Sequence, residues 1–409
     1  MSEKPQVKRR KGTKHDRTGC LTCRARRKKC VENTLPRCGS CVRLNLECVP
    51  LLPMAMESQT LFDSVVALAS GNLSNFDPTY QVAAMEARSQ ALRGLSVDIA
   101  KPFVAIHNYE TALASCLLLS ASEAILGLRT GWSEHLMGAQ SVILSARLRD
   151  QGQDLHGPEA FRGSTEGEWL LRNFAYHDIL GSVTSGRSAL IPGDYLEGLS
   201  DTVDSYLGVH SQLLVYISQI SALDATGDKP TLDVSRSERE ETAERTRTCF
   251  QIEQNLRSWH PKSSDAVLEA TAYAYKSAAL IYLYQRMRQT YPSCSEQQEL
   301  SIDGSSDKKV SDEVCLVLDN IAKIPEDAHP DGVLLFPLFM AGGEATESTD
   351  MEIIRSRLRS IDKIRGFRNV LRACEVLEEV WRTRTARTKG NSVDWEDILR
   401  NQGGGLLLT

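Results

Sequence analysis

Residues 19–48 read GCLTCRARRKKCVENTLPRCGSCVRLNLEC, and six of the chain's 11 cysteines lie there: Cys20, Cys23, Cys30, Cys38, Cys41 and Cys48. Their spacing, C-x2-C-x6-C-x7-C-x2-C-x6-C, is one unit used twice. Each unit offers a close pair that can grip an ion from a single turn, then a third cysteine that returns six residues later. Thiolates at such spacing suit zinc, which takes four ligands in a tetrahedron at about 2.3 Å from sulfur. Six cysteines cannot supply two separate four-ligand sites, so a pair of ions needs two bridging thiolates. The internal repeat makes Cys20 and Cys38, the first cysteine of each half, the bridges. One zinc then takes Cys20, Cys23, Cys30 and Cys38, and the other takes Cys38, Cys41, Cys48 and Cys20.

Three other uses of the cluster compete. A disulfide framework needs an oxidising compartment. The N-terminal MSEKPQVKRRKGTKHDR has no apolar stretch after its basic residues, so it does not read as a secretory signal. A zinc unit built for protein contacts carries more ligands, often His, and lacks dense basic residues between them. A metallothionein-like store needs far more cysteines for its length. No run of 18 or more apolar residues appears, so no membrane partner is expected. The expectation is an intracellular chain with reduced thiols.

Charge is as uneven as cysteine. Residues 1–50 hold 14 Lys and Arg against 4 Asp and Glu, a balance of +10, and the rest of the chain carries −15 within an overall −5. One short basic end on an acidic body points that end at a polyanion. Between Cys23 and Cys30 stand Arg24, Ala25, Arg26, Arg27, Lys28 and Lys29, five of the six basic. On a short helix they spread over most of the exposed surface. Arginine suits guanine, because its fork meets O6 and N7 together in the major groove. Arg24, Lys28, Lys29 and Arg43 are assigned to phosphate. Lys8, Arg9, Arg10 and Lys11, followed by Lys14 and Arg17, read as a nuclear import patch or as an arm that adds phosphate contacts.

Residues 19–48 resemble the fungal zinc binuclear cluster family of transcription factors. Pro36, two residues before Cys38, stands where that family usually has proline. The resemblance implies that Arg26 and Arg27, third and fourth after the second cysteine, lie at the base edges, commonly of a CGG triplet. It also implies control of one metabolic or secondary-metabolite pathway, and partners in promoter DNA and the transcription machinery or co-regulators. Family members often continue into a linker and a coiled coil. Here Cys48 is followed by VPLLPMAMESQ with Pro50 and Pro53, and no sustained heptads follow. That leaves a monomer, or a homodimer through the large domain and not through an evident coiled coil.

Beyond residue 60 the apolar period is helical. LFDSVVALAS, ETALASCLLLSASEAIL, HSQLLVYISQISAL, AYAYKSAALIYLYQRM and NVLRACEVLEEVW all repeat near 3.6 residues. Loops are expected at 149–167, 224–240 and 301–312, where Gly, Ser and charge gather. The fold class is mainly α. It has a basic arm at 1–17, the two-zinc module at 18–50, a short linker at 51–59, an all-α regulatory domain of roughly a dozen helices at 60–400, and a tail at 401–409. Several stretches resemble the fungal-specific transcription factor domain: GWSEHLMGA at 131–139, FAYHDILGSVTSGR at 174–187, LFPLFMAGGEATE at 335–347, and Trp381 with VDWEDIL at 393–399.

Catalytic signatures are missing: there is no G-x-S-x-G, P-loop, H-E-x-x-H or G-x-G-x-x-G. His135 and the His177-Asp178 pair are better read as satisfied helix residues than as acid–base groups. Gly138 and Ala139 are expected to permit close helix packing. Trp132, Trp169, Trp259, Trp381 and Trp395 are expected in the core or an interface, and Cys116, Cys249, Cys294, Cys315 and Cys374 as small buried hydrophobes. The sequence thus predicts a nuclear, zinc-dependent, DNA-binding regulator without enzymatic activity.

Overall fold

Fourteen α-helices account for most of the described residues. The computed structural model describes the backbone of residues 51–128, 131–150, 152–199, 211–223, 236–261, 265–290, 306–326, 331–386, 394–403 and 405–409. The helices are α1 (Leu51–Glu57), α2 (Gln59–Ser74), α3 (Gln81–Ile99), α4 (Ile106–Ile125), α5 (Gly131–Ser145), α6 (Thr165–Ser185) and α7 (Ser211–Ala222). They continue with α8 (Arg236–Ser258), α9 (Ala266–Thr290), α10 (Ser306–Ile321), α11 (Leu335–Glu344), α12 (Ser348–Arg365), α13 (Arg368–Ala386) and α14 (Trp395–Asn401). A two-stranded antiparallel hairpin, β1 (Arg147–Asp150) and β2 (Gln153–His156), pairs Arg147 with His156 and turns through Gly152. All five stretches with a helical apolar period are helical.

Local chemistry sets the helix ends. Ser164 caps α6 by accepting from Gly167 N at 2.9 Å, with Glu166 and Glu168 in the positive first turn. Gly186, at φ 61°, closes the same helix in the left-handed conformation that favours glycine. Gly366, at φ 69°, does so for α12 behind Lys363 and Arg365.

Two buried helices organise the core. α6 packs against α4, α5 and α7, and α9 against α7, α8, α10 and α11. Their contact is polar at one point: Tyr176 and Tyr275 hydroxyls lie 3.5 Å apart, and Tyr275 donates to Val333 O at 2.7 Å. Apolar residues from α1 to the final leucines form one continuous cluster. At an order of magnitude of 1.5–3 kcal/mol per fully buried large apolar side chain, that cluster supplies the main driving force. The Gly342-Gly343 pair brings α11 close to its neighbours. A Cβ at Gly342 would stand 2.6 Å from Leu377 Cδ1, and one at Gly343 2.8 Å from Trp395 Cδ1. Trp381 Nε1 donates to Gly342 O at 2.9 Å, and Trp395 meets Phe339 edge-on at 5.3 Å.

Several boundaries differ from the sequence reading. Residues 51–59, expected as a linker, are helical over Leu51–Glu57, and Leu51, Met54 and Ala55, at i, i+3 and i+4, are buried. Pro53 is third in that helix, where the N–H has no intrahelical acceptor to lose. Residues 401–409, expected as a tail, end in a buried strap. Leu406, Leu407 and Leu408 are in the core. Thr184 Oγ1 donates to Leu406 O, and Asn369 Nδ2 donates to the carbonyls of Leu407 (3.0 Å) and Thr409 (2.8 Å). The glycine run before the leucines suggests flexibility, yet three consecutive leucines find a ready groove.

The span 149–167 holds most of the hairpin, a 3-10 turn (Gly157–Phe161) and the start of α6. From Ser306 the span 301–312 is helical, because its charges are the wet face of a helix whose Val310, Val314, Val317 and Ile321 are buried. The span 224–240 is helical from Arg236, and its earlier residues are outside the described ones. Cys116, Cys249 and Cys374 are buried, Cys315 is exposed, and Cys294 is outside the described residues. Gly138 is not a close-approach position, since a Cβ there would only touch Cys116 Sγ at 3.7 Å. Ala139 is fully buried. Trp132, Trp169, Trp381 and Trp395 are buried, and Trp259 packs at the core's edge. No described helix is long and apolar enough to cross a membrane.

Candidate functional site

The six cysteines, the basic residues Arg24, Arg26, Arg27, Lys28, Lys29 and Arg43, and the import patch Lys8–Lys11 all lie outside the described residues. What is described is the point where that segment joins the helical body. Leu51 follows Cys48 by three residues, which span at most about 11 Å between Cα atoms. Its side chain belongs to the same apolar cluster as Leu61, Leu95 and Tyr109. Ser58 caps α2 by accepting from Leu61 N, and Thr60 donates to Asp98 Oδ2 at 2.7 Å, tying the start of α2 to the end of α3. Glu57 and His107 approach to 3.7 Å at the surface. A cleft of about 250 Å³ lies beside this junction, lined among others by Ser58, Thr60, Asp98, Phe103, Asn108 and Ser115. From Leu51 onward, three residues past Cys48, the chain is therefore held by the helical body.

The motifs of the helical body build its interior. In GWSEHLMGA, Gly131 leaves room for Glu123, whose Oε2 would stand 2.5 Å from a Cβ. Glu123 is buried, pairs with Arg88 and faces His135 Nε2 at 3.8 Å. Burial opposes its ionisation, but hydrogen bonds from His135 and Arg88 and the Arg88 charge outweigh that and hold its pKa below the usual carboxylate value. Ser120 donates to Trp132 O at 3.0 Å, joining α4 to α5. In FAYHDILGSVTSGR, burial lowers His177 to about 4, and its Nδ1 lies 2.9 Å from Thr409 Oγ1. Asp178 is fully buried and accepts from Arg187 and from Ile191 N, both at 3.2 Å. Burial still raises its pKa above the ordinary value. These carboxylates and imidazoles hold helices and loops in place. Among the described residues no group of three or more His, Cys, Asp or Glu is placed to hold a metal ion.

Two functional supports were not legible in the sequence. Arg88, on α3, reaches Glu123 on α4, a pairing with no local spacing signal. Asn369 binds the final strap across 38 and 40 residues of sequence. Only the apolar triplet at 406–408 hinted at the second.

Comparison with known proteins agrees with this division. The family model of the fungal specific transcription factor domain matches residues 45–409, and that of the fungal Zn(2)-Cys(6) binuclear cluster domain matches residues 18–55. The chain is similar to a zinc cluster transcription factor of Candida albicans (strain SC5314), with 61% identity over 36 residues. It is equally similar to Zinc finger protein 1 of Candida albicans (strain WO-1), again 61% over 36 residues. Each likeness covers 9% of this chain and 9% of the relative. No solved structure matches. The two matches overlap over residues 45–55, which include the start of α1, and the match to the fungal specific transcription factor domain runs on through the final strap. The chain belongs to the fungal specific transcription factor domain family, and its N-terminal end matches the zinc-binding fungal Zn(2)-Cys(6) binuclear cluster domain.

Proposed function

We propose that residues 20–48 fold on two zinc ions with Cys20 and Cys38 as bridges, and read CGG-type triplets in the major groove. Arg26 and Arg27 meet the bases, while Arg24, Lys28, Lys29 and Arg43 hold phosphates. The observation that carries this reading is the doubled C-x2-C-x6-C spacing with five basic residues inside its first half. Six soft thiolates and no competing oxygen ligand set fit zinc. Lys8, Arg9, Arg10 and Lys11 direct the chain to the nucleus. The acidic helical body takes up the regulatory input or recruits co-regulators, and the output is a metabolic or secondary-metabolite pathway. The short connection from Cys48 to buried Leu51 supports a body that governs where the DNA-reading segment points.

The test is a selection of random duplexes by the full chain, with and without zinc chelation, and by the Arg27→Ala variant. Zinc-dependent enrichment of a CGG-type triplet is expected. Arg27→Ala should lose about 1–3 kcal/mol of discrimination while keeping most of its salt-sensitive affinity for random DNA. Equal loss on specific and random DNA would move Arg27 to the phosphates. No enrichment from zinc-loaded chain would favour a zinc unit built for protein contacts.

A further inference from the structure

Helix α3 is built inside out. The side it turns to α2 and α4 is mostly alanine: Ala84, Ala87 and Ala91, with Leu95. Four larger apolar residues point to solvent, while Leu92 packs against the core: Val82 is 65% exposed, Met85 64%, Val97 54% and Ile99 55%. A helix at the edge of a domain ordinarily shows the opposite arrangement. Its outermost stripe, on the side opposite those alanines, runs Val82, Glu86, Ser89, Arg93 and Ser96, at spacings of four and three, with Val97 alongside. Glu86 and Arg93 are exposed and form no ion pair among the described residues.

This stripe is its own complement. Laid antiparallel on a second copy about the midpoint between Ser89 and Gln90, Val82 falls opposite Val97, and Glu86 opposite Arg93. Each contact then occurs twice, as a two-fold interface requires. Ser89 and Ser96 are small enough to let the two helices approach. A foreign partner would have no reason to match charge and apolar positions about the helix's own centre.

We propose that α3 is the face through which two copies of this chain associate, antiparallel, with Glu86 of each copy against Arg93 of the other. The pairing deepens the DNA-reading proposal and rests on it for its purpose, since a single small module gains specific affinity from a second half-site. The end of α3 at Asp98 is hydrogen-bonded to Thr60, nine residues along the chain from Leu51. Antiparallel pairing sets the two Asp98 positions about 25 Å apart along the helix axes, on the scale of half-sites one duplex turn, ~34 Å, apart.

The test is the mass of the full chain in solution without DNA, by sedimentation or light scattering over a concentration series. Its failure therefore leaves the DNA-reading proposal standing. Wild type is expected to reach twice the 45.3 kDa of one chain. Glu86→Arg or Arg93→Glu alone puts like charges across both contacts and should weaken association on the order of tenfold. The double exchange should restore it. So should mixing the two single variants, which again places opposite charges across each contact. Both residues are exposed, so circular dichroism should show unchanged helix content in every variant. A single-chain mass for wild type at all concentrations overturns the proposal. So does a dimer indifferent to the single exchanges, or one that neither the double exchange nor the mixture restores.

Discussion

Acid should weaken the helical body through His177, and Gln in its place should remove that sensitivity. The His177 ring sits on α6 with Nδ1 2.9 Å from Thr409 Oγ1 and its edge against Tyr176 at 5.4 Å. Burial lowers its pKa to about 4, against 6.5 for the free side chain. Near neutral pH both folded and unfolded chains hold it neutral, so it costs nothing there. As pH falls through 6.5 the unfolded chain binds a proton that the folded chain refuses, and stability declines until the folded pKa is reached. At 1.36 kcal/mol per unit the full window is worth roughly 3 kcal/mol, and about 2 kcal/mol is gone by about pH 5. His177 is half-buried as a residue, so these are upper values. The assay is chemical denaturation followed by far-ultraviolet circular dichroism, for wild type and His177→Gln, at about pH 7 and about pH 5. Zinc release and the carboxylates contribute to both proteins, so the difference of differences isolates His177. Wild type should lose up to about 2 kcal/mol more than the variant between the two conditions. Parallel losses would show that the folded ring takes up its proton freely, and would refute the reasoning.

Two further outcomes follow from the same geometry. Leu407→Ala should destabilise the body by about 2–5 kcal/mol, because Leu407 is buried and lies near Trp132 and Gly181; an unchanged denaturation midpoint would mean that the strap only rests on the surface. Cys38→Ser should abolish zinc-dependent DNA binding, since a module of this kind draws its folding energy, on the order of 10–16 kcal/mol, from the metal. It should leave the helical melt intact, as no described residues form a metal site; a variant that still binds DNA like wild type would remove Cys38 from its bridging role.

What the sequence disclosed follows from the range of the forces involved. The cysteine cluster is legible because metal ligation needs its ligands a few residues apart and leaves no freedom in their type. The long helices are legible because a 3.6-residue apolar period is written into α2, α4, α7, α9 and α13 themselves. Elements whose state is decided by distant partners were not. Leu51, Met54 and Ala55 look like a linker until Leu61 and Leu95 supply a core to join. Leu406–Leu408 look like a tail until Thr184 and Asn369, far back in the chain, take their backbone hydrogen bonds. Ser306 to Asp312 read as a loop because their charges hide an amphipathic helix. The inverted polarity of α3 was equally invisible, since composition does not say which side of a helix is inside. For the DNA-reading segment, outside the described residues, the residue roles are carried by sequence alone.

The buried strap at 405–409 also sets an order of events during synthesis. The cysteines of the DNA-reading segment are all made within residues 20–48, so that segment can take up metal while most of the chain is still on the ribosome. The groove near Trp132 and Gly181 waits for Leu407, hundreds of residues later. On the proposed function, a chain broken off between the two would keep the promoter-reading segment on an unsealed body. Loss of Leu406–Leu408 would then act as interference with the intact protein, and not as its simple loss.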